Sequence, residues 1–337
     1  MRNCAKFSKK GLICYLSGIL FLLFSFFLGL TFGSTNLGFS EIIKAFSDFS
    51  AESVSGRIFW YVRFPRTAAC IVCGAALSVS GAVTQGVLAN RLASPGIIGV
   101  NSGAGLSVTL CTAFGIYGGF RLSLFAFVGA FVSVLAVSVI AARTGASKGT
   151  VILMGIALNS LFNAISDTVI TFNTDIAVMS NDFKIGEFSS VTYQKLLPAA
   201  VVIAVSLLIL FTLKNELEII GMGQETAEGL GLNARFYRIL FLILSALLAG
   251  SAVSIAGLLS FVGLIVPHIV RKLMGGGGKR LLPMCALLGG GFVSLCDTTA
   301  RTLFTPYEIP VGIIMSFLGV PFFILLLIKK KGGHADA

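Results

Sequence analysis

From Leu12 to Ile328 the chain is a succession of long apolar runs separated by short polar breaks. That alternation decides what it can fold into. A run of about 20 apolar residues is the length an α-helix needs to cross the hydrocarbon core of a bilayer. Inside that core every backbone N–H and C=O must be paired within the protein, so such runs fold as packed helices. The runs fall at Leu12–Phe32, Thr67–Val87, Ile97–Ile116, Leu122–Ala142, Thr150–Phe172, Leu196–Leu213, Tyr237–Ala256, Gly257–Arg271, Leu281–Cys296 and Ile309–Ile328. The eighth is short and holds Pro267, which lacks an N–H and is expected to end or kink a helix. The fold class is all-α: a polytopic membrane protein with about ten transmembrane helices, one transmembrane domain over residues 1–337. Only 12% of residues are charged, about half of what a soluble domain carries. The chain's 39 glycines suit helices that pack closely. Gly99-x-x-x-Gly103 and Gly115-x-x-x-Gly119 have the spacing for it.

Arg2, Lys6, Lys9 and Lys10 precede the first run. That run is long and no small-x-small cleavage site follows, so it reads as a retained span rather than a signal peptide. With the N-terminus inside, the ten-span count puts 17 of the 25 Lys and Arg on the cytoplasmic side and 8 outside, as the positive-inside rule requires. Both termini and the turn at Asn90 then lie in the cytoplasm. Arg63, Arg66 and Arg301 lie outside, as do the mixed segment Ser34–Tyr61 and the segment Asn173–Lys195. The net charge of +11 is in this light a topology signal. No basic face with interleaved aromatics is present, and no nucleic-acid partner is read.

One cytoplasmic stretch stands out. Residues 214–234 form a polar island between two apolar runs and hold four of the 14 carboxylates, Glu216, Glu218, Glu225 and Glu228. Thr226–Gly229 has the length of a single helical turn, and Gly229 and Gly231 are stop signals. The island is either an ordinary surface loop or a docking element for a soluble partner. Within the fifth run, Asn159, Asn163 and Asp167 recur at i, i+4 and i+8 and share one helix face. Such a stripe either faces a bundle interior or water path or joins helices by hydrogen bonds. At the outer end of the ninth run, Asp297 and Arg301 are spaced for a local pair.

Resident chemistry is sparse. Gly275–Gly278 before Lys279 and Arg280 is not a phosphate loop, because Leu273 stands where the first glycine belongs and Arg280 replaces Ser or Thr. Cys70 and Cys73 have redox spacing but sit inside a predicted span, where they are packing residues. His268 and His334 are the only histidines, so neither a metal site nor a cofactor is read. Asp167 is the one carboxylate well inside a span, which disfavours an ion-coupled secondary carrier. The chain reads as a transport subunit that hydrolyses nothing itself and takes energy from a cytoplasmic partner.

Several segments, in order along the chain, resemble the FecCD-type permease subunits of binding-protein-dependent ATP-binding-cassette importers for iron–siderophores, haem and vitamin B12. They are Arg63-Phe-Pro-Arg66, Gly74-Ala-Ala-Leu77, Ser80-Gly81 with Gln85, Asn90-Arg-Leu-Ala93 with Pro95, and Gly99-Val-x-Ser-Gly-Ala104. Ala227–Leu232, Gly257, Phe261–Arg271, Asp297-x-x-Ala-Arg301, Glu308-Ile-Pro-Val-Gly312 and Gly319-x-Pro-x-Phe323 continue the match. The family usually has Pro where this chain has Arg91. The resemblance implies a vitamin B12 importer permease-like fold in the cytoplasmic membrane and a second permease chain, identical or different, with the path between the two. It implies ABC ATPase subunits coupled through Gly221, Gly223, Glu225, Ala227, Glu228, Leu230 and Gly231. It implies an extracytoplasmic substrate-binding protein docked on Arg63, Arg66 and Arg301, and a gate at Asn90, Leu92, Lys148 and Gly149. Asn159, Asn163 and Asp167 are candidates for the path. Membrane lipid is the remaining partner. An iron(III)-siderophore is the first-choice cargo, with haem, cobalamin or an oxyanion behind it.

Overall fold

The structure, a computed structural model, describes residues 9–33, 42, 44–46, 53–144, 147–274 and 278–331. Arg2 and Lys6, most of the segment 34–52, Gly275 to Gly277 of the glycine run and the residues after 331 lie outside the described residues. The helices are α1 (Lys9–Thr31), α2 (Val54–Val87), α3 (Val100–Ala113), α4 (Gly119–Thr144), α5 (Lys148–Phe172), α6 (Ala177–Ile185) and α7 (Tyr193–Thr212). They continue with α8 (Lys214–Met222), α9 (Gln224–Gly229), α10 (Ala234–Ala256), α11 (Val262–Met274), α12 (Gly278–Thr302) and α13 (Val311–Lys331). Seven of these, α1, α2, α4, α5, α7, α10 and α12, contain stretches long and apolar enough to cross a membrane. With α3, α11 and α13, each of the ten apolar runs has a helix among the described residues.

The helix α2 is the axis of the fold, with α10, α11 and α12 packed around it. Of the most apolar stretch in α2 and in α10, 78% is buried, against 17% in α1 and in α5. Close approach at the centre depends on glycine. A Cβ at Gly74 would collide with the backbone of Gly289, and one at Gly81 with the backbone of Gly263. Between these contacts hydroxyls join the helices. Ser80 Oγ lies 2.7 Å and Thr84 Oγ1 2.8 Å from Ser245 Oγ, and Ser78 Oγ donates to the Cys285 carbonyl at 2.6 Å. Small residues and hydroxyl bonds are what holds helices together where burial in lipid provides no hydrophobic drive. Gly99 and Gly103 do form a helix contact, both lying against Ser133 of α4. Gly115 and Gly119 do not. They sit in an open turn at positive φ with nothing near them.

Among the boundaries that depart from the sequence reading, three have a clear structural cause. The second span begins not at Thr67 but at Val54, because the chain runs helically through Pro65. A π-helical turn over Ile58–Arg63 precedes it, in which the Phe64 N–H reaches back to the Phe59 carbonyl, and Pro65 then falls in the first turn of the regular helix. Pro65 has no N–H to give back to the π turn, and the Trp60 carbonyl five residues earlier accepts from the Tyr193 hydroxyl at 2.7 Å instead. The third span is helical only from Val100, since Ser94–Gly99 forms a chain of turns.

The eighth span differs in the opposite way. Gly257–Phe261 is not helical, and α11 passes through Pro267 unbroken. Pro267 cannot donate to the Gly263 carbonyl four residues earlier, and the buried Gln85 side chain of α2 does so instead, Nε2 to O 3.0 Å. Arg271 in turn donates to Gln85 Oε1. A side chain from the neighbouring helix thus stabilises what local sequence would break.

Replacing Gly81 with Leu should force α2 and α11 apart and destabilise the protein by about 1–3 kcal/mol or more. Gly105→Ala, at a position with nothing within 4 Å, should be neutral. Thermal unfolding of the detergent-solubilised proteins compares the two.

Candidate functional site

The site residues fall into three groups along the bundle. At one end, where α1 and α12 finish and α2 starts, are the arginines. Their side chains turn into the protein. Arg63, Arg66 and Arg301 are 2%, 7% and 3% exposed. Arg66 binds Asp297 through Nη2 at 2.9 Å and Glu308 through Nη1 at 2.7 Å. Arg301 lies 3.3 Å from the other Asp297 oxygen. Arg63 donates to the carbonyls of Leu30 and Thr31 at 2.9 and 2.6 Å, and Arg301 to that of Gly29 at 2.7 Å. These carbonyls belong to the last turn of α1, where they lack intrahelical partners and where a cation is favoured by the helix dipole. The physical reason for the inward turn is plain. Buried charge must be paired, and α1 and Asp297 supply what water would. The local Asp297–Arg301 pair expected from the spacing is present within this larger cluster.

In the middle is the stripe of Asn159, Asn163 and Asp167. Asn159 donates to the carbonyls of Gly96 and Ile97, both at 3.1 Å, and accepts from Ser102 Oγ. It is an interhelical link that satisfies the carbonyls of the Ser94–Gly99 turns. Gly155, one turn earlier, lets α5 lie directly on Ile97 and Ile98. Together with Asn163 and Asp167, Asn159 also lines a cleft of about 510 Å³, with Asn101, Ser102, Ser166, Lys184 and Leu258 in the same wall. Asp167 lies 3.4 Å from Lys184 of α6. A second cleft, about 620 Å³, is walled by Lys184, Ile185, Leu258, Ser260 and the α13 residues Gly312, Ile313, Ser316, Phe317, Val320 and Pro321. Both openings border the non-helical Gly257–Phe261 segment. Its start is fixed by backbone bonds, Glu187 N to Ala256 O at 2.8 Å and Leu258 N to Phe183 O at 2.9 Å.

At the far end from the arginines are α8 and α9. Leu217, Ile220 and Ala227 are buried, so both short helices are fixed to the bundle. Leu217 lies against Gly86 of α2. The outer surface presents Glu225, Glu228 and Gly229, with Met222, Leu230 and Phe236 at 63%, 62% and 57% exposure. Gln224 donates to Glu228 at 2.8 Å and accepts from Arg238 at 3.1 Å. Gly223 and Gly231, at φ 131° and 80°, make the bends on either side, where residues with a Cβ are strained. Gly221 closes α8 over the Gly86 carbonyl. The polar island is therefore two helices rather than the one turn read from sequence. At the same end the Asn90 side chain accepts from the Leu92 N–H at 2.9 Å, leaving Leu92 41% exposed. Lys148 and Gly149 begin α5, capped by Ser147 through the Thr150 N–H at 3.2 Å.

Two cleft-lining positions carry no mark in the sequence. Lys184 lies in a segment that reads only as external, and nothing in spacing joins it to Asp167. Leu258–Ser260 reads as helix. The Gly257 and Gly263 that bracket it, just before Pro267, are the available signal.

The FecCD transport family matches residues 21–329. The iron-uptake system permease protein FeuB of Bacillus subtilis is 32% identical over 324 residues, covering 93% of this chain and 94% of its own. The hemin transport system permease protein HmuU of Yersinia pestis is 34% identical over 310 residues, covering 90% and 92%. Among solved structures, one described as a metal-chelate type ABC transporter in an inward-facing conformation superposes with a TM-score of 0.81 at 28% identity, over 95% of this chain and 99% of that one. A bundle of about ten membrane helices, carrying a pair of short helices at one end and polar clefts within, is the build of a transport permease. The chain belongs to the FecCD transport family.

Asp297→Asn should leave Arg66 and Arg301 without their shared counter-charge. Breaking a buried pair in this way costs about 3–5 kcal/mol, so the variant should melt well below the parent or fail to accumulate. Glu308→Gln, whose carboxylate is 31% exposed, should cost much less. Thermal stability of the purified proteins decides.

Proposed function

We propose that the chain is the membrane permease of an ATP-driven importer that carries an iron(III)-siderophore or a related metal chelate across the cytoplasmic membrane. Haem, cobalamin or an oxyanion is the alternative cargo. The observation that carries this reading is the α8–α9 pair. It is fixed to the bundle by Leu217, Ile220 and Ala227 and presents apolar and acidic groups together on an outer surface. Exposed Met222, Leu230 and Phe236 beside carboxylates have the composition of a protein contact. The partner there is a separate ABC ATPase subunit, and this end of the bundle is cytoplasmic. Movement of that subunit passes through α8 and α9 into α7 and α10, which directly flank them.

A second permease chain, the same or a different one, covers the poorly buried face of α5 and the clefts beside α13, closing the path between the two. The Asn90–Leu92 turn and the Lys148–Gly149 start of α5 gate its cytoplasmic mouth. A substrate-binding protein docks on the opposite end. In this reading its carboxylates exchange with Glu308 over the Arg63, Arg66 and Arg301 cluster, an exchange that favours orientation and encounter rate more than affinity.

Uptake of radiolabelled iron(III)-siderophore by cells with and without the chain tests the cargo, and loss on deletion is expected. Glu225→Lys with Glu228→Lys tests the coupling. The double variant should reach the membrane at normal abundance, lose uptake, and leave ATP hydrolysis no longer linked to transport. Normal uptake by this variant would remove α9 from the coupling role.

A further inference from the structure

The two clefts differ in character and meet at one cation. The larger is mostly apolar, with Ile185, Leu258, Ile313, Phe317, Val320 and Pro321 in its wall. The smaller is amide- and hydroxyl-lined through Asn101, Ser102, Asn159, Asn163 and Ser166. Only Lys184 and Leu258 belong to both. Among the described residues Lys184 is the one cationic residue lining either cleft, and Asp167 the one anionic residue. Asp167 borders the polar cleft alone. A solute with its body in the apolar cleft therefore reaches the Lys184 ammonium group from the side whose wall holds no carboxylate, with Asp167 on the polar-cleft side of the pair.

The Lys184–Asp167 pair is built to be exchanged. The two groups are 3.4 Å apart, with the Asp167 side chain 68% and the Lys184 side chain 35% exposed. Both groups border the polar cleft, and among the described residues neither side chain makes a hydrogen bond to any other group, so an incoming anion can take the place of Asp167 on Lys184. The wall adds a second positive feature. Ser260 lines the apolar cleft and is followed at Val262 by the start of α11. The positive end of that 13-residue helix dipole thus abuts the same cleft.

From this geometry we infer that Lys184 determines specificity in the permease path and selects a chelate with an apolar body and an anionic edge, such as a carboxylate or phenolate. A cleft of about 620 Å³ lies within the range that holds a bulky small molecule. The inference rests on the permease reading and narrows its cargo from metal chelates in general to negatively charged ones. Asp167 holds Lys184 in place while the path is empty, and the cargo takes its place on the ammonium group.

The test measures whole-cell uptake of five labelled probes, with the chain expressed from its own locus. Haem, iron(III) citrate and an iron(III) tricatecholate are the anionic probes. Cobalamin and a neutral iron(III) trihydroxamate are the neutral ones. Deletion of the chain should remove uptake of an anionic probe. Lys184→Gln should lower the saturated rate for that probe by about tenfold, the factor expected from one lost charge-assisted hydrogen bond. Lys184→Arg should retain most of it. The exchanged pair Lys184→Asp with Asp167→Lys restores an ion pair but puts the anion at the junction, and it should not recover uptake. Membrane abundance and thermal stability of each variant are followed alongside, and both should match the parent.

A deletion that removes only a neutral probe overturns this inference and leaves the permease reading standing. So does an unchanged rate for Lys184→Gln, or recovery of uptake by the exchanged pair, which would mark the ion pair as structural. A deletion that changes none of the five probes counts against the permease reading itself, and the inference falls with it.

Discussion

Everything in this structure answers to one constraint, that peptide groups at membrane depth be paired inside the protein. Regular helix satisfies it automatically, so the instructive places are those where helix stops. Gln85 supplies the bond that Pro267 cannot give to the Gly263 carbonyl. Asn159 takes up the carbonyls of Gly96 and Ile97. Around Gly186, Gly257 and Gly312 the breaks in three segments pair with each other, the Gly312 N–H donating to the Gly186 carbonyl at 3.2 Å. Each departure from helix is matched by a side-chain amide or a second irregular backbone. The chain can therefore keep non-helical backbone beside its clefts, where polar atoms are useful, without leaving any of these carbonyls bare.

The same logic explains why the arginines turn inward. Two of the three spend donors on the exposed carbonyls at the end of α1, and two share Asp297. The cluster thereby ties a peripheral helix to α2 and α12 at the heart of the bundle. It also divides labour within the fold. The centre, α2 with α10 and α12, is closely packed through glycine contacts. The elements around the clefts, α5, α6 and α13, meet it through fewer and more open contacts. A core that resists deformation beside a loosely covered margin suits the proposed path between two chains.

Much of this was legible in sequence. The ten apolar runs, the FecCD-type motifs and the polar island all have their counterparts in the structure, because length and polarity act locally and survive tertiary context. What was not legible depended on a partner far along the chain. Pro267 marks a break by every local rule, and only Gln85, 182 positions earlier, cancels it. Arg63-Phe-Pro-Arg66 looks like an exposed entrance because the sequence does not show that the end of α1 and Asp297 will cover it. The spacing of the Asn159 stripe places it on one face of α5. That Asn159 also bonds to Gly96 and Ile97 depends on where the Ser94–Gly99 turns happen to sit.

The π-helical turn at Ile58–Arg63 has an effect that reaches beyond its own six residues. A turn holding one residue more than the regular helix shifts the angular phase of the outer segment by about 100° relative to the rest of α2. Trp60 is aimed by that phase. Its indole N–H meets the Ala45 carbonyl at 3.0 Å, and its own carbonyl meets the Tyr193 hydroxyl at 2.7 Å. The start of α2 is thus keyed to α7 by a count of residues rather than by any single side chain. In this stretch length is itself information, and a one-residue insertion or deletion acts as a rotation of the outer segment, not as a local defect.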